Sequence, residues 1–155
     1  MKRIQLPNAE FIPQLCNLIN EGHSVSIRIK GNSMRPFIEN ERDIVILSGT
    51  KKYEVGDVAL AEIKKGLYVL HRIESIHQAT VRLRGDGNIG KPEICTINDL
   101  RAVATAFIRD GKTIRTDSTK WRLYSFCWTR LLPARRVLLA IYRLWHKITT
   151  INHQP

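Results

Sequence analysis

A small hydroxyl stands between a glycine and a proline in the segment Gly31-Asn32-Ser33-Met34-Arg35-Pro36, directly after an alternating run at 25–30. Glycine, asparagine, serine and proline each favour turns, so the segment could be an ordinary turn at the end of a strand. The same sharp turn would also expose the Ser33 oxygen, while the backbone N–H groups behind it stay free to receive a developing negative charge. Ser33 is therefore the candidate nucleophile for covalent acyl transfer.

Two further segments contain the base and the carboxylate that a serine nucleophile needs. His71 lies in the apolar run 68–73, and Asp86 stands between two glycines in the run 83–88. A neutral imidazole can take the serine proton during attack and return it to the leaving amine, and a carboxylate can orient that imidazole. Each residue also has a structural alternative, because a histidine in an apolar strand is often a core residue and Asp-Gly often marks a hairpin turn.

Four short motifs connect these residues in a fixed order. They are the segment 31–36, Gly56-Asp57-Val58-Ala59-Leu60, His71-Arg72 and Gly85-Asp86-Gly87-Asn88. Over about residues 26–108 the chain resembles the serine peptidase clan that contains signal peptidases and LexA-type repressors. Bacterial signal peptidases and LexA proteins have a lysine at the third motif, whereas signal peptidases of the endoplasmic reticulum, archaea and some spore-forming bacteria have a histidine before an arginine. The chain resembles this histidine branch.

The resemblance implies a role for each candidate residue. Ser33 would be the nucleophile, His71 the general base and Asp86 the carboxylate that orients His71. The Ser33 amide would serve the oxyanion hole. Some bacterial signal peptidases add a hydroxyl two residues before the nucleophile, but Gly31 stands there, which leaves Asn32 as a weakly supported second donor. Clan relatives bind substrate as an added strand and prefer small residues before the scissile bond. No cofactor or metal is expected, because the sequence contains no motif for either.

The elements that must position these residues are predicted to be mainly β-structure behind one helix. Apolar residues at helical spacing predict a helix over 8–21 that packs on a core. Alternating runs bounded by turn signals predict strands at 24–30, 43–48, 57–63, 67–76, 79–84 and 101–109. Together with the resemblance, this pattern predicts an α+β fold that is mainly β, with a coiled antiparallel sheet of the LexA and signal peptidase type. We expect an N-terminal helical segment over 1–24, a peptidase domain over 25–116 and a basic helical tail over 117–155.

The C-terminal tail is strongly basic, because residues 109–147 contain ten Lys or Arg against two acids and carry +8 of the formal +11. A helical wheel from Val137 gives an amphipathic helix. Its apolar face comprises Val137, Leu138, Ile141, Tyr142, Leu144, Trp145 and Ile148, and its polar face comprises Arg135, Arg136, Arg143, His146 and Lys147.

The apolar run is too short and too interrupted to cross a bilayer. We expect the region 121–148 to lie on an anionic membrane surface. Packing on the β-domain or in a dimer is the alternative, and nucleic acid is less favoured, although basic charge attracts phosphate.

Length and cysteine content bound the remaining function classes. The 155 residues suffice for one small domain with a tail. Cys16, Cys95 and Cys127 are odd in number and lack metal-ligand spacing, so neither a disulfide framework nor a zinc site is supported. The N-terminus lacks a secretory apolar stretch, and we expect a cytoplasmic protein that could sit peripherally at the inner face of the cell membrane. One helix before the first strand leaves no room for a two-helix DNA reader.

These observations favour a serine endopeptidase that cleaves an extended peptide or protein substrate by a Ser33-His71 mechanism with Asp86. Two alternatives use the same fold. One is a non-catalytic module that binds peptide or membrane, and the other is a LexA-type regulator that acts with a separate DNA-binding partner.

Overall fold

The computed structural model describes the backbone of residues 8–151, so the parts of the expected segments at 1–7 and 152–155 lie outside the described residues. Three α-helices occur in this range: α1 Asn8–Asn20, α2 Thr119–Arg130 and α3 Leu132–Ile151. The strands are β1 Val25–Arg28, β2 Ile44–Ser48, β3 Val58–Lys64, β4 Leu67–His77, β5 Thr80–Arg84, β6 Glu93–Thr96, β7 Leu100–Arg109 and β8 Lys112–Arg115.

The strands form one antiparallel sheet in the order β1-β2-β7-β3-β4-β5-β6, with β8 added on β7. This architecture, with the helix α1 in front of it, confirms the predicted mainly β fold class. Six strands overlap the six predicted ones. β6 is a strand that the sequence pattern does not predict, and it lies at the edge of the sheet beside β5.

β7 holds the sheet together because it pairs with three other strands. Its first part, 100–103, lies beside β3, whereas 103–108 lies beside β2 and 106–109 lies beside β8. Register shifts interrupt the pairings of β2 with β7, β3 with β4, β3 with β7, and β4 with β5. Such bulges bend and twist the strands that contain them, so the sheet coils as predicted.

Two apolar clusters fill the fold. One cluster joins α1, β1, β2 and β7, and it includes Met34, Phe107 and Trp121. The other lies among β3, β4, β5 and β6. Within α1 the buried residues are Ile12, Leu15, Cys16 and Ile19, which confirms that this helix packs on the core.

The two C-terminal helices pack on the β-domain through different kinds of side chain. α2 begins after Ser118, whose hydroxyl accepts a hydrogen bond from the N–H of Trp121. Its buried residues Trp121, Ser125 and Trp128 repeat at helical spacing, so α2 lies against the domain along one face. In α3 the buried residues include Arg135, which the wheel placed on the outer polar face. The wheel also assigned the side chains of Arg143, His146, Lys147 and Ile148, which lie outside the described side chains.

Candidate active site

The turn that contains Ser33 follows β1 and is held by local hydrogen bonds. Gly31 adopts a φ of 99°, in the left-handed region that favours glycine, and its N–H donates to the side-chain oxygen of Asn40 over 2.8 Å. The N–H of Arg35 donates to the carbonyl of Asn32. Met34, the residue after Ser33, is buried in the apolar cluster that joins α1, β1, β2 and β7, and this contact anchors the turn on the core. The half-buried Ser33 side chain is therefore carried by a fixed backbone.

The turn lies directly on the Gly85–Asn88 motif. The N–H of Gly87 donates to the Ser33 carbonyl over 2.7 Å. A Cβ at position 85 would lie 2.3 Å from that carbonyl oxygen, and a Cβ at position 87 would lie 2.9 Å from the carbonyl oxygen of Asn32. Because both distances are shorter than van der Waals contact, only glycine allows the two segments to approach this closely. Two motifs that are about fifty residues apart in sequence thus form one unit.

Strand register relates this unit to His71. In the β4–β5 ladder Arg72 is paired with Arg84, so the next pair along the same register would be His71 and Gly85. Neighbouring strands lie about 4.8 Å apart. The glycine against which the Ser33 backbone packs therefore follows directly on Arg84, the residue of β5 that pairs with Arg72, next to His71 in the chain. The fold brings the Ser33 turn and His71 to the same end of the β4–β5 pair.

His71 is buried, and its Nδ1 lies 3.0 Å from Oε2 of Glu93, on the neighbouring edge of the sheet. A carboxylate can only accept, so in the neutral ring Nδ1 carries the proton and Nε2 is left as an acceptor. Burial lowers the pKa of His71 below its ordinary value of 6.5, and the nearby Glu93 charge only partly opposes this effect. The imidazole is therefore neutral and able to accept a proton near pH 7.

Asp86 has other partners than the one predicted from the sequence. The carboxylate is fully buried and accepts two hydrogen bonds from the guanidinium of Arg72, from Nε over 2.8 Å and from Nη2 over 2.6 Å. The hydroxyl of Tyr124 also donates to it over 3.3 Å. The planar fork of an arginine matches both oxygens of a carboxylate, which explains the pairing. Among the described residues, the carboxylate that hydrogen-bonds to His71 is Glu93, and Asp86 acts on His71 only through its charge, which raises the pKa of the imidazole.

Arg72 links the motifs to one another and to α2. Its Nη1 donates to the carbonyl of Gly56, in the second motif, over 2.8 Å and also to the hydroxyl of Ser125 in α2. Its guanidinium carbon lies 5.1 Å from the ring centroid of Trp121. Nε1 of Trp128 in turn donates to the backbone carbonyl of Asp86 over 3.2 Å. The buried ion pair thus holds the loop beside Ser33 against both the sheet and the first C-terminal helix.

Sequence reasoning missed Glu93 and the α2 residues that surround the ion pair. Glu93 opens the four-residue strand β6, whose sequence Glu-Ile-Cys-Thr is short and lacks the polar-apolar alternation that predicts a strand. Its contact with His71 spans 22 residues and depends on how β6 and β4 flank β5. The only available signal was the pair of apolar residues Ile94 and Cys95 after the turn residues at 87–92, where a partner for β5 could be sought.

The site also contains a free backbone donor. Of the hydrogen bonds within residues 8–151, none uses the N–H of Ser33. An amide at this position can donate to an oxyanion that forms when the neighbouring hydroxyl attacks a carbonyl. A second donor from Asn32 stays a prediction. The described residues include no group of three or more His, Cys, Asp or Glu that could hold a metal ion.

Comparison with known proteins identifies one family. A sequence model described as Peptidase S24-like matches residues 3–107, which is more than half of the chain. The match includes the Ser33 turn, His71, Asp86 and Glu93, and it ends within β7. Helices α2 and α3 lie outside it. No curated protein sequence matches the chain.

Proposed function

The chain belongs to the Peptidase S24-like family, within the group that joins LexA proteins and signal peptidases, and from this membership we propose that it is a serine endopeptidase. Ser33 is the nucleophile, His71 the general base and Glu93 the carboxylate that orients His71. The observation that carries the proposal is the close packing of the Ser33 turn on Gly85, which follows the end of β5, where β5 pairs with the β4 residue next to the buried His71.

The chemistry requires two proton transfers at one imidazole nitrogen. Nε2 of His71 takes the Ser33 proton as the oxygen attacks the carbonyl carbon of the scissile bond, while the Ser33 N–H donates to the developing oxyanion. The imidazolium then gives the proton to the leaving amine, and the C–N bond breaks to leave an acyl ester on Ser33. Water activated by the same nitrogen hydrolyses the ester. Glu93 keeps the other nitrogen protonated and stabilises the positive ring through both steps.

Asp86 has a positioning role in this proposal. Its carboxylate stays with Arg72, and the pair holds the Gly85–Asn88 loop on which the Ser33 turn rests. Such a buried ion pair contributes to the geometry of a site more than to net stability. The two acidic residues are therefore assigned different roles because their surroundings differ. Glu93 is partly exposed beside an imidazole, which it orients, whereas Asp86 is fully buried beside a guanidinium, with which it holds the loop.

The substrate class is an extended peptide segment. In this clan substrates are bound as an added strand, and we propose the same mode here, with main-chain hydrogen bonds to the sheet beside the Ser33 turn. A leader-bearing peptide, the tail of a membrane protein or a regulatory protein would each present such a segment.

Reaction with a fluorophosphonate probe tests the proposal. The wild-type chain should become labelled at Ser33, as mapped by mass spectrometry, and Ser33→Ala should remove the label. His71→Gln should slow labelling by about 100-fold or more, since a positioned general base typically contributes that factor. Ser24→Ala and His23→Ala, at exposed neighbouring positions outside the site, are matched controls that should label at the wild-type rate.

Other outcomes identify the alternatives. Labelling of a residue other than Ser33, or equal labelling of Ser33→Ala, would refute the assignment. A folded wild-type chain that does not react, together with full biological activity of Ser33→Ala, would indicate a non-catalytic binding module. Salt-dependent binding to duplex DNA would instead favour a regulator that acts with a DNA-binding partner.

A further inference from the structure

Helix α3 exposes its apolar face to solvent. Val137, Ile141, Leu144 and Trp145 are 60–63% exposed and Leu138 is 41% exposed. These five residues, which we call the interfacial face, follow one another at intervals of one and three positions, with Ile141 four positions from both Val137 and Trp145, and so lie on the same side of the helix. A helix that packs on its own domain through an apolar stripe would bury these residues. This helix does the opposite.

The opposite side of α3 holds the helix on the domain. Leu139 is buried there, and the buried guanidinium of Arg135 donates to the carbonyl of Trp128 over 2.8 Å and lies over the Trp128 ring. The hydroxyl of Tyr142 hydrogen-bonds to Glu39. Arg135, Leu139 and Tyr142, which make these contacts, lie on the side of α3 opposite to the interfacial face. The apolar side chains of that face therefore point away from the domain. The face is presented outward by a helix that is already anchored.

The charged residues of the two C-terminal helices have one sign. Helices α2 and α3 contain seven Lys or Arg and no Asp or Glu. Lys120, Arg122, Arg130 and Arg136 are exposed. A second copy of the chain would bring equal charges together, and nucleic acid has no apolar surface to cover isoleucine and leucine. An anionic lipid surface has both the charge and the apolar interior that this combination requires.

We propose that α3 binds flat on an anionic membrane surface, with the interfacial face inserted among the acyl chains and the flanking cations at the headgroups. Within residues 8–151 no helix combines the length and hydropathy needed to span a bilayer. Trp145 belongs at the boundary between headgroups and acyl chains, where tryptophan is enriched.

The anchored side of α3 also connects the membrane contact to the candidate site. Glu39, which binds Tyr142, forms a 2.8 Å ion pair with Arg35, two residues after Ser33. The nucleophile turn is therefore linked through Glu39 to the helix that meets the lipid. This consequence rests on the proposed peptidase function and implies a substrate held close to the membrane surface, whereas the lipid contact itself does not depend on catalysis.

Sedimentation of the full chain with vesicles tests the proposal. We expect binding to vesicles of phosphatidylcholine with about one third phosphatidylglycerol, weak binding to pure phosphatidylcholine, and a loss of about 10-fold or more when salt is raised to about 0.5 M. The double variant Val137→Asn/Ile141→Asn should bind at least about 10-fold more weakly, because two half-exposed aliphatic side chains no longer enter the apolar layer. Its matched control is Val55→Asn/Ile94→Asn, which changes the same residue types at similar exposure on the β-domain and should bind like wild type.

Fluorescence gives an independent readout. Trp121 and Trp128 are buried and Trp145 is exposed, so a blue shift of emission on adding anionic vesicles should vanish in Trp145→Phe. Ser33→Ala should bind vesicles like wild type, which separates this proposal from the proposed catalysis. The proposal is overturned if wild type does not bind anionic vesicles, or if both double variants bind equally. A concentration-dependent dimer that the first double variant abolishes, without vesicle binding, would assign the face to a second copy.

Discussion

Replacing Glu93 by glutamine removes one negative charge beside His71 and leaves the side-chain shape almost unchanged. In the wild-type chain the carboxylate lies 3.0 Å from Nδ1, so in the proposed mechanism it would stabilise the imidazolium that forms when Ser33 loses its proton. The glutamine can also present its NH2 group to Nδ1, which would place the ring proton on Nε2, the nitrogen that must accept from Ser33. Both effects slow attack by Ser33.

The size of the effect follows from distance and exposure. Two unit charges about 4 Å apart interact by about 4 kcal/mol at an effective dielectric constant of about 20. The Glu93 side chain is 27% exposed, so water screens part of this interaction. We therefore expect a loss of about 1–3 kcal/mol of transition-state stabilisation. Because about 1.4 kcal/mol corresponds to a factor of ten, labelling of Ser33 should slow by about 10- to 100-fold.

The pH dependence should change in a direction that a purely structural role would not produce. Burial lowers the pKa of His71 below 6.5, and Glu93 raises it. The acid limb of the wild-type labelling profile should therefore lie below pH 6.5, where the imidazole becomes protonated. Without the Glu93 charge the pKa falls further, so the neutral ring persists to lower pH. Glu93→Gln should show a lower plateau together with an acid limb shifted to lower pH.

The assay is the second-order rate constant for fluorophosphonate labelling between about pH 4.5 and pH 8. Glu54→Gln, which removes a more exposed glutamate from an ion pair with Lys52, is the matched control and should leave the profile unchanged. Glu93→Asp should retain part of the rate. A Glu93→Gln chain with the wild-type plateau and an unmoved acid limb would refute the orienting role of Glu93.

Three further substitutions test how the site is held. Gly85→Ala should abolish labelling and cost about 1–3 kcal/mol in the free energy of unfolding by urea, since its Cβ would overlap the carbonyl of the nucleophile turn; Gly90→Ala, with open space around its Cβ, should have no effect on labelling. Asp86→Asn should cost about 3–5 kcal/mol, because it leaves the buried Arg72 charge without its partner, and unchanged stability would contradict the buried ion pair. Trp128→Phe should cost about 1–3 kcal/mol in the same urea titration, since the Asp86 carbonyl loses a buried donor; a variant as stable as wild type would show that this hydrogen bond contributes nothing.

Local patterns sufficed to predict the fold class and most of its strands. Alternation bounded by turn residues is a property of a few neighbouring positions, and six strands lie where it indicated, while α1 lies where the apolar residues at helical spacing indicated. The Ser33 turn could also be recognised, because glycine, serine and proline at fixed spacing describe a turn without reference to the rest of the chain. Glycine is needed at 85 and 87 because another segment of the chain approaches closely there. The positions of these glycines in the sequence do not reveal this tertiary contact.

Partners across the fold could not be predicted in the same way. A carboxylate between two glycines could accept a hydrogen bond from either a histidine or an arginine. That Asp86 pairs with Arg72 depends on which side chains of β4 face the loop. Glu93 reaches His71 from a strand of only four residues. The amphipathic pattern of the tail was visible, but the sequence did not show that the domain would hold α3 by Arg135 and Leu139 and leave the apolar stripe outside.

The guanidinium of Arg72 joins three stretches that are far apart in the chain: the turn before β3, the loop after β5 and helix α2. The loop with Asp86 cannot move away without stranding the Arg72 charge in a medium that solvates it poorly, and the turn and the helix accept hydrogen bonds from the same guanidinium. Helix α2 is therefore not an accessory that could detach without cost from the β-domain. If the proposed lipid contact forms, a pull on the tail would be transmitted through this guanidinium to the loop on which the Ser33 turn rests.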